Sequence, residues 1–310
     1  MRVVTATHAA ILGAARALAD GELVVIPTET VYGIAADATQ PSSVLRVFEV
    51  KGRPKENPLI VHVCDVAMLE TQVAGIPDRL RPLIDRFMPG PLTIVLPKAP
   101  TVPHLVTGGL PTVAVRMPRH PVAMSVISAL NRPLAVPSAN RFMHLSPTKT
   151  EHIDPMIGNA AAMILDGGPC SVGVESTVVD GTEFPPRILR PGGVSREEIQ
   201  EVLGTSLGES PPAEERRSPG MYPRHYAPRA TLVLVEQIPP GAVGFGFDVE
   251  PGPRSVKMPN DPAAYAARLY DVLHQLDQPG VGVILAETPP DTPAWEAVRD
   301  RLRKASEPLP

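Results

Sequence analysis

The sequence lacks a long apolar run, since no stretch approaches the roughly 18 to 20 residues that a membrane-spanning helix needs. Its first 21 residues show neither a basic start nor a signal-cleavage pattern, so we expect a cytoplasmic protein with no membrane partner. Excess positive charge is also missing: 29 Lys and Arg stand against 33 Asp and Glu, giving a formal net charge of −4. This balance excludes a general basic surface for nucleic acid, so any anion-binding site must be local.

Cysteine and aromatic residues are scarce as well. The two cysteines, Cys64 and Cys170, are far apart and form no CxxC pattern. We therefore interpret them as buried, reduced thiols rather than as a disulfide or a zinc site. Aromatic residues make up 4% of the chain, which is few for the interleaved aromatic and basic residues typical of RNA-binding surfaces.

The chain is long and apolar enough for substantial cores. Its 310 residues, 43% of them hydrophobic, suffice for two domains. Strand-like and helix-like segments alternate up to about residue 203, an order typical of a mixed α/β domain. Within this series, PSSVLRVFEVKG predicts a helix that has Ser42 or Ser43 as its cap and ends before Gly52.

The composition changes after this first domain. Residues 205–229 are rich in proline, glycine and charge and show no apolar periodicity, which indicates a linker. The second half of this linker reads MYPRHYAPR, whose aromatic and histidine residues favour an ordered strap packed against the protein. Strand and helix patterns then resume. We predict a first domain over residues 1–204, a linker over 205–229 and a small α/β domain over 230–310.

Four loops concentrate polar side chains that their flanking strands do not require. They are PTETVYG, KGRPKEN, PSANRFMHLSP and GVEST. PTETVYG directly follows a buried strand, and the carboxyl ends of strands in open α/β sheets are where ligands tend to bind. KGRPKEN places three cations beside a helix end, where they could hold a polyphosphate. A solvated charge run at the negative end of the helix is the alternative interpretation.

Arg116 lies within the apolar strand TVAVRMP. A charged side chain in such a strand is rarely buried without a partner. Because no acidic residue is adjacent in sequence, its partner is either the carboxylate of a ligand or a distant Asp or Glu.

Taken together, PTETVYG, KGRP, AVRMPRHP, PSAN with a downstream SPT, VESTVVD and ILRPG resemble the YrdC family. The strap and the domain after it are similar to the long, two-domain form of that family. The resemblance implies a YrdC-like twisted mixed sheet with flanking helices, an ordered linker and a small Rossmann-like α/β C-terminal domain. It also implies synthesis of threonylcarbamoyl-AMP and pyrophosphate from L-threonine, bicarbonate or CO₂, and ATP. A separate transferase would then pass the group to tRNA.

The resemblance also gives roles to single residues. Positions similar to those that surround threonine are Thr30, His62, Arg116, Val136 through its backbone, and Ser176. Positions similar to those that bind ATP are Arg53, Asn57, Thr112, Ser138, Asn140, Ser146, Arg190 and Tyr226. Lys51 and Arg53 are the expected catalytic residues, in the family's KxR signature. Mg²⁺ is expected to bind together with ATP, with no separate metal site.

Three further expectations follow from the same residues. Lys51 ends a helix, so we expect it at the surface, where its replacement should affect turnover more than stability. The chain departs from the family pattern at Val136 and Pro137 and in the loop 141–143, changes that a backbone contact at Val136 tolerates. Tyr226 and its neighbour His225 should form a lid over the nucleotide.

Two other functions fit parts of the sequence. An RNA-binding module would use the basic loop to follow a phosphate backbone, with weak binding of tRNA. A carbamoyltransferase similar to the hydrogenase-maturation enzymes would use the YrdC-type domain. Those enzymes also carry zinc-finger modules, and the paired CxxC motifs of such modules are missing from this sequence.

Overall fold

The computed structural model describes residues 1–208, 222 and 224–306. In the first domain the strands are β1 (Val3–Thr5), β2 (Val24–Ile26), β3 (Gly33–Asp37), β4 (Ile60–His62), β5 (Leu92–Pro97), β6 (Thr112–Arg116), β7 (Leu134–Ala135), β8 (Met163–Asp166), β9 (Thr177–Asp180) and β10 (Arg187–Arg190). Its helices are α1 (His8–Ala19), α2 (Pro41–Lys51), α3 (Val66–Glu70), α4 (Arg81–Phe87), α5 (Pro121–Leu130), α6 (Pro155–Ala160) and α7 (Arg196–Leu203). The second domain contains β11 (Thr231–Val235), β12 (Gly244–Gly246), β13 (Ser255–Lys257), α8 (Pro262–Leu276), β14 (Val283–Glu287) and α9 (Glu296–Ser306).

The strands form two sheets. The larger sheet has the order β1-β8-β2-β3-β7-β4-β6-β5-β9-β10 and mixes parallel and antiparallel pairs. The smaller sheet is parallel, with the order β11-β14-β12-β13. The predicted mixed α/β fold with a small Rossmann-like second domain is thereby confirmed. The three-residue strands β1 and β13 were not predicted, because such short segments carry no readable alternation.

The two faces of the larger sheet are covered differently. On one face, strand residues such as Val61 and Val115 belong to the main core, together with Val47 of α2 and Leu83 of α4. On the other face, α1 and α5 pack over β2, β3 and β7. Farther along that second face, β4, β6, β5, β9 and β10 supply a small apolar cluster consisting of Ile60, Val95, Ala114, Val178 and Leu189. The polar side chains described below lie on this second face.

Two local predictions were wrong. Helix α2 begins at Pro41, with Gln40 in the cap position and no side-chain cap bond, so neither Ser42 nor Ser43 is its cap. Proline suits the first helical position because its missing N–H would have no intrahelical partner there. The two cysteines are free thiols, but Cys170 is buried whereas Cys64 is partly exposed.

The second domain shares an apolar core with the first. Val31, Leu145 and Val174 of the first domain belong to the cluster formed by the inner side chains of α8, α9 and the small sheet. The approach is close at Gly173, which has a φ of 74° and where a Cβ atom would lie 2.4 Å from the Cα of Ala267. No helix in the described ranges is long and apolar enough to cross a membrane.

Candidate active site

A cavity of about 50 Å³ lies between the second face of the larger sheet and residues of the strap. Ile60 and His62 of β4 and Arg116 of β6 line its floor, because alternate residues of neighbouring strands share one face. The remaining lining residues belong to loops, to the start of β3 (Gly33), to the end of β10 (Arg190) and to the strap: Thr28, Thr30, Val31, Gly33, Arg53, Val136, Pro137, Ser138, Glu175, Ser176, Arg190, His225 and Tyr226.

Arg116 has a protein partner at one end of this cavity. Its guanidinium donates to Glu29 Oε1 at 2.7 Å and to Thr30 Oγ1 at 2.8 Å. Burial raises the pKa of Glu29, but the charge and hydrogen bond of Arg116 outweigh it, so the pKa lies below its usual value. Of the two alternatives for Arg116, the distant acidic residue is therefore present, and further guanidinium N–H groups remain for a ligand.

His62 lies beside Arg116 in the parallel register of β4 and β6. Burial, together with the charge of Arg116, lowers the pKa of His62 to about 3, so the imidazole is neutral at pH 7. Its Nδ1 lies 3.4 Å from the carbonyl O of Ile60, which can only accept a hydrogen bond. The proton therefore sits on Nδ1, and Nε2 is an acceptor.

Ser176 and Arg190 both line the cavity and are hydrogen-bonded to each other. The Ser176 hydroxyl shares a hydrogen bond of 2.8 Å with Thr93 Oγ1. Arg190 donates to the Ser176 carbonyl O at 2.9 Å and to the Ser176 hydroxyl at 3.2 Å. Its Nη1 also lies 3.5 Å from the Tyr226 hydroxyl. Arg190 thus links the first domain to the strap.

Lys51 is buried, with 3% of its surface exposed, so the prediction that it lies at the surface was wrong. Its ammonium group donates to the carbonyl O atoms of Ser138 and Asn140, each at 2.5 Å. Burial lowers its pKa well below the usual value, and the neighbouring Arg53 adds to this effect. Lys51 therefore holds the PSAN loop against the C-terminus of α2.

Arg53 is also buried, with 7% exposure, and is held within its own loop. It donates to Asn57 Oδ1 at 2.6 Å and to the Pro58 carbonyl O at 2.7 Å. Burial lowers its pKa to about 10. The buried Nδ2 of Asn57 and the buried Oδ1 of Asn140 have no hydrogen-bond partner among the described protein atoms, which is unusual in a protein interior and leaves both atoms available to a ligand.

The strap residues cover the cavity. Tyr226 has a φ of 60° and is buried, and the ring of His225 lies 4.0 Å from its ring. Burial lowers the pKa of His225 well below its usual value, and Arg53 and Lys51 are the next causes. The His225 Nδ1 is buried and has no partner. Phe142 packs edge-on against His225 with 5.8 Å between ring centroids, so the unusual loop 141–143 contacts the strap.

A second set of polar contacts joins the cavity to the second domain. Glu175 accepts hydrogen bonds from Ser146 Oγ at 2.6 Å and from the Tyr270 hydroxyl at 3.1 Å. Arg301 of α9 donates to the same carboxylate at 2.6 Å. Burial raises the pKa of Glu175, but the charges of Arg301 and Arg190 outweigh it, so the pKa lies below its usual value. Glu175 is therefore a buried, ionised hub between the two domains.

The residues expected in the site fall into three groups: some line the cavity, some contact the lining residues from behind, and one lies elsewhere. Those that line the cavity are Thr30, Arg53, His62, Arg116, Val136, Ser138, Ser176, Arg190 and Tyr226. Those that support it from behind are Lys51, Asn57, Asn140 and Ser146. Thr112 does not line the cavity, because it starts β6 about 13 Å from Arg116, four extended residues away.

Four residues with a part in this arrangement were missed. Glu29 and Glu175 lie in the loops PTETVYG and GVEST. In both loops an acidic residue stands among hydroxyl-bearing residues next to a buried strand, a pattern that could have indicated a functional carboxylate. Arg301 lies three residues after Val298 and one before Leu302, so it shares the buried face of α9 with them. A charged residue on that apolar face could also have been recognised from the sequence. Tyr270 gave no signal beyond ordinary core periodicity.

A mixed α/β fold that holds a buried, cation-lined pocket and is joined to a small parallel-sheet domain is the architecture of a two-domain enzyme. The family described as "Telomere recombination" (Sua5, YciO, YrdC) matches residues 16–192, and "Threonylcarbamoyl-AMP synthase, C-terminal domain" matches residues 194–307. Curated threonylcarbamoyl-AMP synthases of Pyrococcus abyssi and Bacillus subtilis are 42% and 40% identical to this chain, covering 94% of it and 93% and 92% of their own lengths. The crystal structure of P. abyssi Sua5 complexed with L-threonine superimposes with a TM-score of 0.87 at 40% identity, covering 96% of this chain and 94% of that one. The chain belongs to the threonylcarbamoyl-AMP synthase family of enzymes, in its two-domain form.

Proposed function

We propose that the protein makes threonylcarbamoyl-AMP from L-threonine, bicarbonate or CO₂, and ATP, and releases pyrophosphate. This would be the first step in forming N6-threonylcarbamoyladenosine in tRNA. The observation that carries the proposal is the polarity of this cavity, which has hydroxyls, a neutral imidazole and Arg116 at one end and buried cations at the other. Two substrates of opposite character, an amino acid and a polyphosphate, suit the two ends.

The Arg116 end suits L-threonine, the ligand named for the related P. abyssi structure. Free N–H groups of Arg116 would bind the carboxylate. The unprotonated Nε2 of His62 would accept a hydrogen bond from the amine or the hydroxyl. A histidine whose pKa lies near 3 is a poor base at pH 7. His62 would therefore orient the substrate rather than remove its proton.

The cationic end suits the phosphates of ATP. The unprotonated amine of threonine first adds CO₂ through a new N–C bond, which gives a carbamate and releases one proton to water. A carbamate oxygen then forms a bond to the α-phosphorus while the bond to the bridging oxygen of pyrophosphate breaks in line. Lys51, Arg53 and Arg190 would neutralise the charge that develops, and the protein itself forms no covalent bond.

Mg²⁺ is part of this proposal as an ion carried in by ATP. Among the described residues, no group of three or more His, Cys, Asp or Glu side chains could hold a metal ion. The unpartnered, buried Oδ1 of Asn140 is an oxygen that fits an ion bound mainly by phosphates and water. When bound, the ion would neutralise part of the phosphate charge.

The strap would act as a lid in this reaction. A cavity of about 50 Å³ is much smaller than the roughly 300 Å³ or more of an ordinary small-molecule site. Tyr226 and His225 line this small cavity together with Arg53 and Arg190, so we expect these two residues to move when ATP enters. Their return would keep water away from the reactive adenylate.

The burial of Lys51 and Arg53 argues against an RNA-binding module that uses KGRPKEN. Lys51 and Arg53 are almost entirely covered and cannot follow an external phosphate backbone. Delivery of the product to tRNA would then depend on a separate transferase, with at most weak binding of tRNA by this protein.

The test is a synthesis assay with a matched control. Purified protein is incubated with ATP, Mg²⁺ and bicarbonate, with and without L-threonine, and pyrophosphate and the adenylate are measured, the latter by mass spectrometry. We expect threonine-dependent pyrophosphate together with the mass of threonylcarbamoyl-AMP. The variant Arg53→Met should lose this activity, whereas Lys55→Met, in the same loop but exposed, should keep it. ATP binding without any adenylate would contradict the proposal.

A further inference from the structure

Arg301 is a second-domain side chain that bonds directly to Glu175, a residue lining the cavity. It is 1% exposed, and each of its three guanidinium nitrogens donates a hydrogen bond. Besides Glu175, it donates to Asp300 Oδ2 at 2.6 Å and to the Pro191 carbonyl O at 3.0 Å. Pro191 directly follows Arg190, one of the three cations assigned to the phosphates. A helix of the second domain thus contacts the backbone that carries a residue of the cavity.

The Glu175 carboxylate that Arg301 holds is itself connected to other residues of the proposed ATP site. It accepts from Ser146 Oγ at 2.6 Å, and it lies close enough to Arg190 for the two charges to affect each other. A buried carboxylate without its main cation would recruit another one or take up a proton. Arg190 is the next cation available to Glu175, and any movement toward it takes Arg190 away from the phosphates.

Arg301 also contacts the strap. Its guanidinium carbon lies 4.9 Å from the centre of the Tyr226 ring, within the range of a cation–π interaction. On the same helix, the carbonyl O of Lys304 accepts a hydrogen bond from the backbone N of His225 at 3.1 Å. Helix α9 therefore fixes the two strap residues that cover the cavity.

We propose that Arg301 is a positioning residue through which the second domain sets the affinity for ATP. It holds Glu175 and Tyr226 so that Ser146, Arg190 and the strap keep the geometry that the nucleotide requires. This inference rests on the proposed function for the identity of the nucleotide. In the described part of the chain Arg301 bonds to Glu175, Asp300 and Pro191 and reaches Ser176 only through Glu175 and Arg190, so we expect its effect to be larger on ATP than on threonine.

The experiment compares Arg301→Met with Arg303→Met in the full chain. Arg303 belongs to the same helix, but its side chain is 70% exposed, which makes it a matched control for charge and helix propensity. We measure the Kd of ATP by calorimetry and the KM values of ATP and threonine. Arg301→Met should raise the Kd and KM of ATP by about tenfold or more, a typical coupling between sites, while the KM of threonine changes by less than about threefold. Arg303→Met should match the wild type.

A second pair of variants separates positioning from simple loss of structure. Adding Glu175→Gln to Arg301→Met removes the uncompensated buried charge, so ATP affinity should partly recover. If Arg301→Met does not fold, the single variants Glu175→Gln and Tyr270→Phe test the same hub and should raise the Kd of ATP without changing the KM of threonine.

Three results would overturn the inference: an ATP Kd in Arg301→Met within twofold of the control, equal losses for both substrates, or a double variant no better than the single one. Failure of the proposed function is distinguishable, because the wild type would then bind ATP without making the adenylate, and the Kd comparison would still decide the role of Arg301. A wild type that does not bind ATP would overturn both.

Discussion

Replacing His62 by Asn should make the protein less sensitive to acid. His62 is 2% exposed, and burial together with the Arg116 charge lowers its pKa to about 3. In the unfolded chain the pKa returns to about 6.5. Between these two values the unfolded chain binds a proton that the folded protein does not bind, so stability is lost as the pH falls through this window.

The size of the effect follows from the same two pKa values. At pH 5 the unfolded imidazole is almost fully protonated, whereas the folded one stays neutral. The linkage relation gives a loss of about 2 kcal/mol between pH 7 and pH 5 from this one side chain. Asparagine does not titrate, and its amide can still donate to the Ile60 carbonyl O that His62 contacts.

The assay is urea unfolding at pH 7 and pH 5, followed by circular dichroism. The wild type should lose about 2 kcal/mol more than His62→Asn between the two pH values. His8→Asn, at an exposed position at the start of α1, is the control for the substitution itself. Equal losses in the wild type and His62→Asn would show that folding does not lower the pKa of His62, and the argument that burial keeps its imidazole neutral would be refuted.

Three further predictions concern the domain contact, Lys51 and the strap. Gly173→Ala should cost about 1–3 kcal/mol, because its Cβ would lie 2.4 Å from the Cα of Ala267; an unchanged melting curve of the single tryptophan would contradict this. Lys51→Met should abolish adenylate synthesis and also lower the melting temperature, since two carbonyl groups lose a charged donor; a normal melting temperature would place the ammonium group elsewhere. Phe142→Ala should speed hydrogen exchange of the His225 amide, measured by mass spectrometry, because the edge-on ring contact is lost; unchanged exchange would show that the loop does not hold the strap.

Much of the fold was predictable because it depends on local patterns. The alternation of short apolar runs and periodic helices predicts the mixed α/β class without any long-range information. The same kind of pattern could have corrected one error. Lys51 continues the spacing of Val44, Val47 and Phe48 on α2, so it lies on the buried face of that helix. A charge at such a position indicates a buried partner, whereas the chemistry of the loop alone suggested the surface.

The rest of the site depends on contacts between distant parts of the chain. Nothing near Arg116 in the sequence reveals that Glu29 is its partner, because β6 and the loop after β2 meet only in the folded sheet. The pairing of Glu175 with Arg301 joins two domains and is even less local. Local sequence reports which residues need partners, but sheet order and domain docking decide which partners they find.

The shared apolar core has a consequence for synthesis on the ribosome. Val31, Leu145 and Val174 emerge with the first domain, whereas the residues of α8 and α9 that cover them are made last. At ordinary translation rates the newly folded first domain waits roughly 5 to 20 s with this patch open to water. During that time the nascent chain offers a hydrophobic surface to chaperones and to neighbouring nascent chains. Slowing translation after the linker should therefore increase aggregation of the full-length protein, even though the finished molecule buries nearly all of the patch.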